Sequence, residues 1–428
     1  MESQGLLVRG AWVVDPSQKL DGRRDLYLLG GKVAALGEKL SDSVPAGTPV
    51  LDADGLTAAP GLVDMHVHFR DPGQTHKEDI LTGSRAAAAG GVTSVACMPN
   101  TSPAVDSPEL VDYIRQKAAD APCHVYPVAC ISVGQRGEQL TDFAALKEAG
   151  AVAVSDDGRP VKNAALMQRA IALGHSLGLP VISHCEDLDI IAGGIVHKGS
   201  VSQKLGVPGM DRSSEDSITS REIALADSEH AAVHIAHVST KGSAEIIRDA
   251  KRRGIRVTAE TAPHYLLLTD EALLSKDANF RMNPPLREEQ DRLAMLEAAA
   301  SGTIDCIVTD HAPHSPEEKA DFLKAPNGIV GLETSLAASI TSLVESQILS
   351  LSQLIQLMSC NPARILGIAG GSLTVGSPAD LVLFDPQKRW TVAREDLRGR
   401  SSNSPFLGKT LTGQVQYTLL DGRVVFQR

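Results

Sequence analysis

Between residues 61 and 365, short apolar β-branched runs alternate with Ala-rich amphipathic stretches, and this alternation most restricts the folds open to the chain. The runs cover residues 62–68, 92–100, 124–132, 151–157, 181–186, 233–239, 257–262 and 306–311. Helical patterns fill the intervals at 80–89, 107–119, 164–177, 217–227 and 244–253. Strands joined through helices run parallel, because each crossover returns the chain to the same end of the sheet. Eight such units predict an α/β fold, a (β/α)8 TIM-like barrel.

The flanks differ. Residues 6–14 and 26–36 read as strand pieces, the second broken by a tight turn at Gly30-Gly31. Residues 379–384 and 415–426 read the same way, with Asp421-Gly422 as a hairpin signal. Two β-rich ends around an α/β middle predict a small composite β-sandwich domain from residues 1–60 and 366–428. The barrel, 61–365, is then the metal-dependent catalytic domain.

Composition narrows the partners. Aromatics make up 3% of the 428 residues, so Ala, Val, Leu and Ile must build the core. The net charge is -11 and no Lys/Arg run occurs, which argues against nucleic acid and anionic membranes as partners. A small anionic substrate remains compatible, since one or two local arginines can hold it. The six cysteines form no C-x-x-C pair and read as buried free thiols of a reducing compartment. The N-terminus lacks a signal-peptide pattern, and no apolar run approaches about 18 residues, so no membrane span is expected. A cytoplasmic location is the expectation.

Barrels of this type place function at the C-terminal ends of their strands. His66 and His68 close strand 1, Asp156 and Asp157 strand 4, His184 strand 5, His237 strand 6 and Asp310 strand 8. His66 and His68 are two apart, so a regular strand points both rings into the normally apolar barrel interior. Two imidazoles there need a partner, and the other strand-end donors make it a metal. Nitrogen and carboxylate ligands without thiolate suit Zn²⁺ or a neighbouring divalent ion. Six ligands exceed one tetrahedral ion, so one or two zinc ions per chain are expected, with two favoured. Two ions would share a bridging carboxylate and hydroxide and sit about 3.5–4 Å apart. The bridging hydroxide would be the nucleophile on a polarised amide carbonyl, with Asp310 as general base and acid.

Arg70 follows the histidine pair by two residues, and its fork suits bidentate capture of a substrate carboxylate. Asn100 and Asn283 carry amides on Pro-adjacent loops, and His314 lies one turn beyond Asp310. These are candidate substrate contacts. His264 reads as structural, and His76, His124, His175, His197, His230 and His234 lack a ligand context.

The run Pro60-Gly61-Leu62-Val63-Asp64-Met65-His66-Val67-His68-Phe69-Arg70-Asp71-Pro72-Gly73 resembles the strand-1 signature of dihydroorotases in the amidohydrolase superfamily. Segments 260–264, 309–314 and 328–333 resemble later motifs of that family. The resemblance spans nearly the whole chain. It implies reversible cyclisation of N-carbamoyl-L-aspartate to L-dihydroorotate, a step of pyrimidine biosynthesis. It makes His66, His68, His184, His237 and Asp310 zinc ligands. It makes His68, Arg70, Asn100, Asn283 and His314 substrate contacts, with Asn327 and Gly328 in the loop after strand 8.

Two departures stand out. Many superfamily members bridge the metals with a carboxylated lysine at the tip of strand 4, whereas this strand ends in Asp156-Asp157. That matches the bacterial type bridged by an aspartate, and spacing to His184 favours Asp157. Asn327 stands where the family pattern has an aromatic. Competing readings are another cyclic-amide hydrolase (hydantoinase, dihydropyrimidinase or allantoinase) and a non-catalytic scaffold for aspartate transcarbamoylase. Arg70 separates the first, since a neutral ring needs no cation. The intact ligand set argues against the second. A homo-oligomer, with an aspartate transcarbamoylase as a candidate partner, completes the expectation.

Overall fold

In a computed structural model, which describes residues 5–428, eight strands run parallel and pair in chain order. They are β1 (Leu62–Val67), β2 (Val92–Cys97), β3 (His124–Ala129), β4 (Ala153–Ser155), β5 (Val181–Ser183), β6 (Val233–Ile235), β7 (Val257–Thr261) and β8 (Cys306–Ile307). A parallel bridge between Val67 and His311 brings the last edge to the first, and His68 N donates to His311 O at 2.8 Å. The (β/α)8 barrel read from the alternation is the fold of the chain.

Helices Ile80–Ala89 and Ala164–Leu177 occupy the expected positions. Each starts at a side chain that caps a backbone N–H, Asp79 and Asn163 respectively. Helices Phe143–Ala149 and Glu289–Ala300 fill two further intervals between strands.

Strand pairing stops earlier than the apolar runs suggest. Residues 98–100, 156–157, 184–186, 236–239 and 308–311 lie beyond the ends of β2, β4, β5, β6 and β8. An apolar run marks burial, whereas pairing requires extended backbone, and here the buried chain turns before it leaves the barrel. Arg70, His237 and Asp310 have φ of 61°, 32° and 49°, conformations that L side chains rarely adopt. Such strain concentrates where surrounding structure dictates a side chain's direction. β1 also carries an extra residue relative to β2 between Asp64 and Val67. This bulge lets Met65 join the apolar cluster of Val63, Ala96, Val128 and Ile182 while His66 still reaches Asp157.

The terminal segments form one continuous sheet. Its order is Arg423–Gln427, Thr410–Leu420, Leu381–Thr391, Thr57–Pro60, Leu6–Asp15, Leu20–Leu29 and Lys32–Gly37, with Val50–Asp52 also paired to Leu6–Asp15. Thr57–Pro60 joins the two ends of the chain, antiparallel to Leu381–Thr391 and parallel to Leu6–Asp15. Strand alternation then divides the side chains between two cores. Leu381 and Leu383 pack with Val8, Val13, Leu26 and Leu28. Val382 and Phe384 belong instead to the large cluster shared with the barrel.

Between its two longest strands the C-terminal part leaves this sheet and crosses to the barrel. Arg398 N donates to Glu333 Oε1 at 2.8 Å and Arg400 N to Glu78 Oε1 at 3.1 Å. Asn403, three residues on, reaches the loops that follow β8. Among the described residues, no helix is long and apolar enough to cross a membrane.

Candidate metal centre

Six side chains from five strand ends converge at the mouth of the barrel. His66, His68 and Asp157 bring donor atoms within 4.8 Å of one another, and so do Asp157, His184 and His237. Asp157 belongs to both groups. Its Oδ1 lies 3.4 Å from His66 Nε2, 3.1 Å from His184 Nδ1 and 3.6 Å from His237 Nε2. Its Oδ2 lies 3.5 Å from His68 Nε2. Asp310 Oδ1 stands 3.1 Å from His68 Nε2 and 3.7 Å from His66 Nε2. Asp156 faces elsewhere: its carboxylate accepts from Ile131 N at 2.9 Å and Ser132 N at 3.1 Å, holding the chain that leaves β3.

A ring of buried polar groups orients these donors. Glu260, at the end of β7, takes His66 Nδ1 at 2.6 Å and His234 Nε2 at 3.0 Å. With Nδ1 so engaged, the Nε2 of His66 carries the free lone pair, and this buried atom has no hydrogen-bond partner among the described residues. That is the arrangement of a metal-ligating histidine backed by a carboxylate. Asn100 bridges the ligands, its Oδ1 2.8 Å from His68 Nδ1 and its Nδ2 donating to Asp157 Oδ2 at 3.3 Å. Glu186 Oε2 sits 3.1 Å from His184 Nε2 and accepts from Asn283 Nδ2 at 3.2 Å.

The electrostatics call for positive charge. Burial alone would lower the pKa of His66, but Glu260 and then Asp157 outweigh it and raise it well above the ordinary value. His184 is likewise disfavoured as a cation by burial, yet Asp157 and Glu186 carry it up to about 10. Burial opposes ionisation of Asp157, and His66 and His184 nonetheless hold it well below the usual carboxylate range. Buried carboxylates this close to imidazoles are satisfied either by protonated rings or by a bound cation. The orphaned His66 Nε2 and a donor set of nitrogen and carboxylate oxygen fit divalent metal.

Arg70 and His314 form the rim. Arg70 is 9% exposed, and among the described residues no carboxylate lies within ion-pair distance of it. Its Nε donates to Pro313 O at 3.3 Å, and its Nη2 stands 3.5 Å from His314 Nε2. Burial first, then Arg70, Lys77 and Lys319, pull His314 down to about 3, so the ring is neutral. Its Nε2 then donates to Asn327 O at 2.9 Å. Asn327 thus engages through its backbone, which any residue could supply, while its Oδ1 accepts from Arg281 Nη2 at 3.2 Å. Gly328 is the one position here that demands glycine. Its φ is +141°, and a Cβ would come within 2.7 Å of Ala312 O and 2.9 Å of His314 Nε2.

Three participants escaped the sequence reading. Glu186, two residues after His184, shared its strand-end signal, and Glu260 lay in a recognised motif without an assigned partner. Asn403 gave no local signal. Its Oδ1 accepts from His314 N at 3.1 Å, and its Nδ2 donates to Ala312 O at 3.2 Å and Gly328 O at 3.0 Å.

The chain is similar to known proteins over its whole length. A family profile described as Dihydro-orotase-like matches residues 55–243. The Dihydroorotase of Geobacter sp. (strain M21) is 53% identical over 424 residues, 99% of each chain. That of Trichlorobacter lovleyi is 50% identical over 423 residues, 98% of this chain and 99% of its own. Among solved structures, the L-hydantoinase (dihydropyrimidinase) from Arthrobacter aurescens superposes with a TM-score of 0.89 at 26% identity, covering 100% of this chain and 96% of that one. The dihydropyrimidinase from Brevibacillus agri NCHU1002 gives 0.86 at 26% identity over 99% and 95%. Across its full length, with the barrel and the convergent His and Asp side chains intact, the chain belongs to the dihydroorotase family of cyclic amidohydrolases.

Proposed function

We propose that the chain carries out the reversible ring closure of N-carbamoyl-L-aspartate to L-dihydroorotate in pyrimidine synthesis. The observation that carries this reading is Arg70, a buried guanidinium with no carboxylate in ion-pair distance among the described residues, beside a cluster of metal-competent donors. Burying a charge unpaired costs several kcal/mol, so an anion that arrives with the substrate is the natural partner. A planar carboxylate on a cyclic amide supplies it.

In this reading His66, His68, Asp157, His184, His237 and Asp310 would be the ligands of one or two zinc ions, and Asp157 belongs to both groups of donors that could hold an ion. Bound zinc would lower the pKa of the attacking water and polarise the amide carbonyl. Asp310, buried beside His68, is the proton carrier. In hydrolysis it accepts a proton as water oxygen bonds to the ring carbonyl carbon, and returns it to the ring nitrogen as the C–N bond breaks. That nitrogen leaves as the terminal amide of the carbamoyl group, and the former carbonyl carbon becomes a carboxylic acid that loses its proton to solvent. Arg70 and His314 orient the ring through its own carboxylate, with His68, Asn100, Asn283, Asn327 and Gly328 as the remaining contacts.

The division into a catalytic barrel at 61–365 and a composite β domain at 1–60 and 366–428 belongs to the same proposal. So do a homo-oligomeric state, an aspartate transcarbamoylase partner and a cytoplasmic location. Sedimentation of the purified chain, alone and mixed with that enzyme, tests the first two associations.

The test of function is direct. Purified protein should contain one or two zinc ions per chain and hydrolyse dihydroorotate, with hydantoin and dihydrouracil turned over poorly. Equal rates on the three rings, or activity that survives complete metal removal, would overturn the reading.

A further inference from the structure

Residues 315–328 follow Asp310 and lead to Asn327 and Gly328, and a loop of this length beside a reaction centre has the dimensions of a closing lid. Its contacts are of another kind. Lys319 is 8% exposed, and its Nζ donates to Arg281 O at 3.2 Å, Pro326 O at 3.0 Å and Gly328 O at 3.0 Å. Burial pulls the Lys319 amine down to about 7, and in its protonated form the three donor protons match the three carbonyls. Its carboxylate neighbour in sequence, Glu318, pairs with Lys77 instead, at 3.1 Å. Lys319 is therefore held among backbone carbonyl dipoles, an arrangement that survives only while those three carbonyls stay together.

Further ties run between the same two segments. Gly328 N donates back to Arg281 O at 3.0 Å. Arg281 Nη1 donates to Phe322 O, and its Nη2 reaches Asn327 Oδ1 at 3.2 Å. Gly328 O accepts a second hydrogen bond, from Asn403 Nδ2 at 3.0 Å. Asn283 lies two residues beyond Arg281, so both segments carry residues assigned above to the substrate site.

We infer that the 315–328 loop is a fixed wall of the substrate site, and that Lys319 is the positioning residue that fastens its Gly328 end to the Arg281 segment. Asn327–Gly328 and Asn283 thereby keep a constant separation before substrate arrives. The role in substrate binding rests on the proposed function; the fixity of the wall does not.

The experiment has two arms. In the intact metal-loaded protein without substrate, hydrogen exchange should show the amides of Ala325 and Gly328, which donate to Asp321 O and Arg281 O, protected at least ~100-fold over unstructured chain. Exchange at the rate of exposed chain overturns the wall, whatever the enzyme's substrate. The second arm is Lys319→Met, close in size and uncharged. It should keep its zinc, speed exchange across the loop, and raise KM for dihydroorotate about tenfold or more with kcat within about threefold, as loss of ground-state and transition-state binding alike requires. If that variant does not fold, Lys319→Gln, whose shorter amide cannot hold all three carbonyls, should give the same KM-against-kcat split. A folded variant of either kind with unchanged KM refutes the positioning role. Failure of metal-loaded wild-type protein to turn over dihydroorotate would instead refute the proposed function and leave the exchange result standing.

Discussion

Arg70 and His184 show how burial turns ordinary residue types into demands on the surroundings. Among the described residues no carboxylate lies within ion-pair distance of Arg70, so its truncation should be felt mainly in binding. Arg70→Ala is expected to raise KM for dihydroorotate by roughly 10–100-fold, the worth of a charge-assisted hydrogen-bonded pair. Steady-state kinetics check this, and an unchanged KM would remove the carboxylate role. His184 makes a prediction about the metal-free protein. Burial disfavours its charge, but Asp157 and Glu186 raise it to about 10 in the folded state. A histidine raised on folding stabilises fully below its unfolded pKa, about 6.5, and that stability drains away as pH rises through the folded value. Chelated protein should therefore melt at a lower temperature at pH 9.5 than at pH 6.5, and zinc should remove most of the difference. A melting point that rises with pH in the chelated protein would contradict the charge pattern.

At the scale of elements, the strand ends explain what could be read from the chain and what could not. His66, His68, Asp157, His184, His237 and Asp310 were legible because each closes an apolar run, and a parallel barrel gathers such ends at one mouth. Where pairing stops was not legible: the runs continued through residues whose backbone has already turned, as at His237 and Asp310. The bulge in β1 was invisible for a related reason, since simple alternation sets Met65 and His66 on opposite faces. Glu260 went unassigned because its partners, His66 and His234, stand on other strands, and no spacing rule links them. Its role is testable. Glu260→Gln keeps the shape but loses the charge behind His66, and should weaken zinc binding by about 10–100-fold. Competition with a chromophoric chelator measures this, and unaltered affinity would reduce Glu260 to a packing residue.

For the molecule as a whole, the terminal sheet and the barrel are not two independent bodies. Val382, Phe384, Leu411 and Val415 lie in the same apolar cluster as Ala86, Ala87 and Val92 of the barrel. Residues 61–365 expressed alone should consequently be insoluble or molten, with loss of near-ultraviolet dichroism; a cooperative melt of that fragment would refute the shared core. That the two β-rich ends come together was legible from the short strands and turn signals at both termini, whereas their junction through Thr57–Pro60 was not. The excursion that carries Asn403 was not, since nothing local marks residues 392–409 as leaving the sheet. That excursion bears on how such a protein can change over generations. The terminal unit looks like a detachable module, yet it delivers the side chain that holds His314 N and Gly328 O in place. Chimeras joined at 365/366 would transplant a foreign support beneath the rim, so recombination should be tolerated only between parents whose rim and excursion were inherited together.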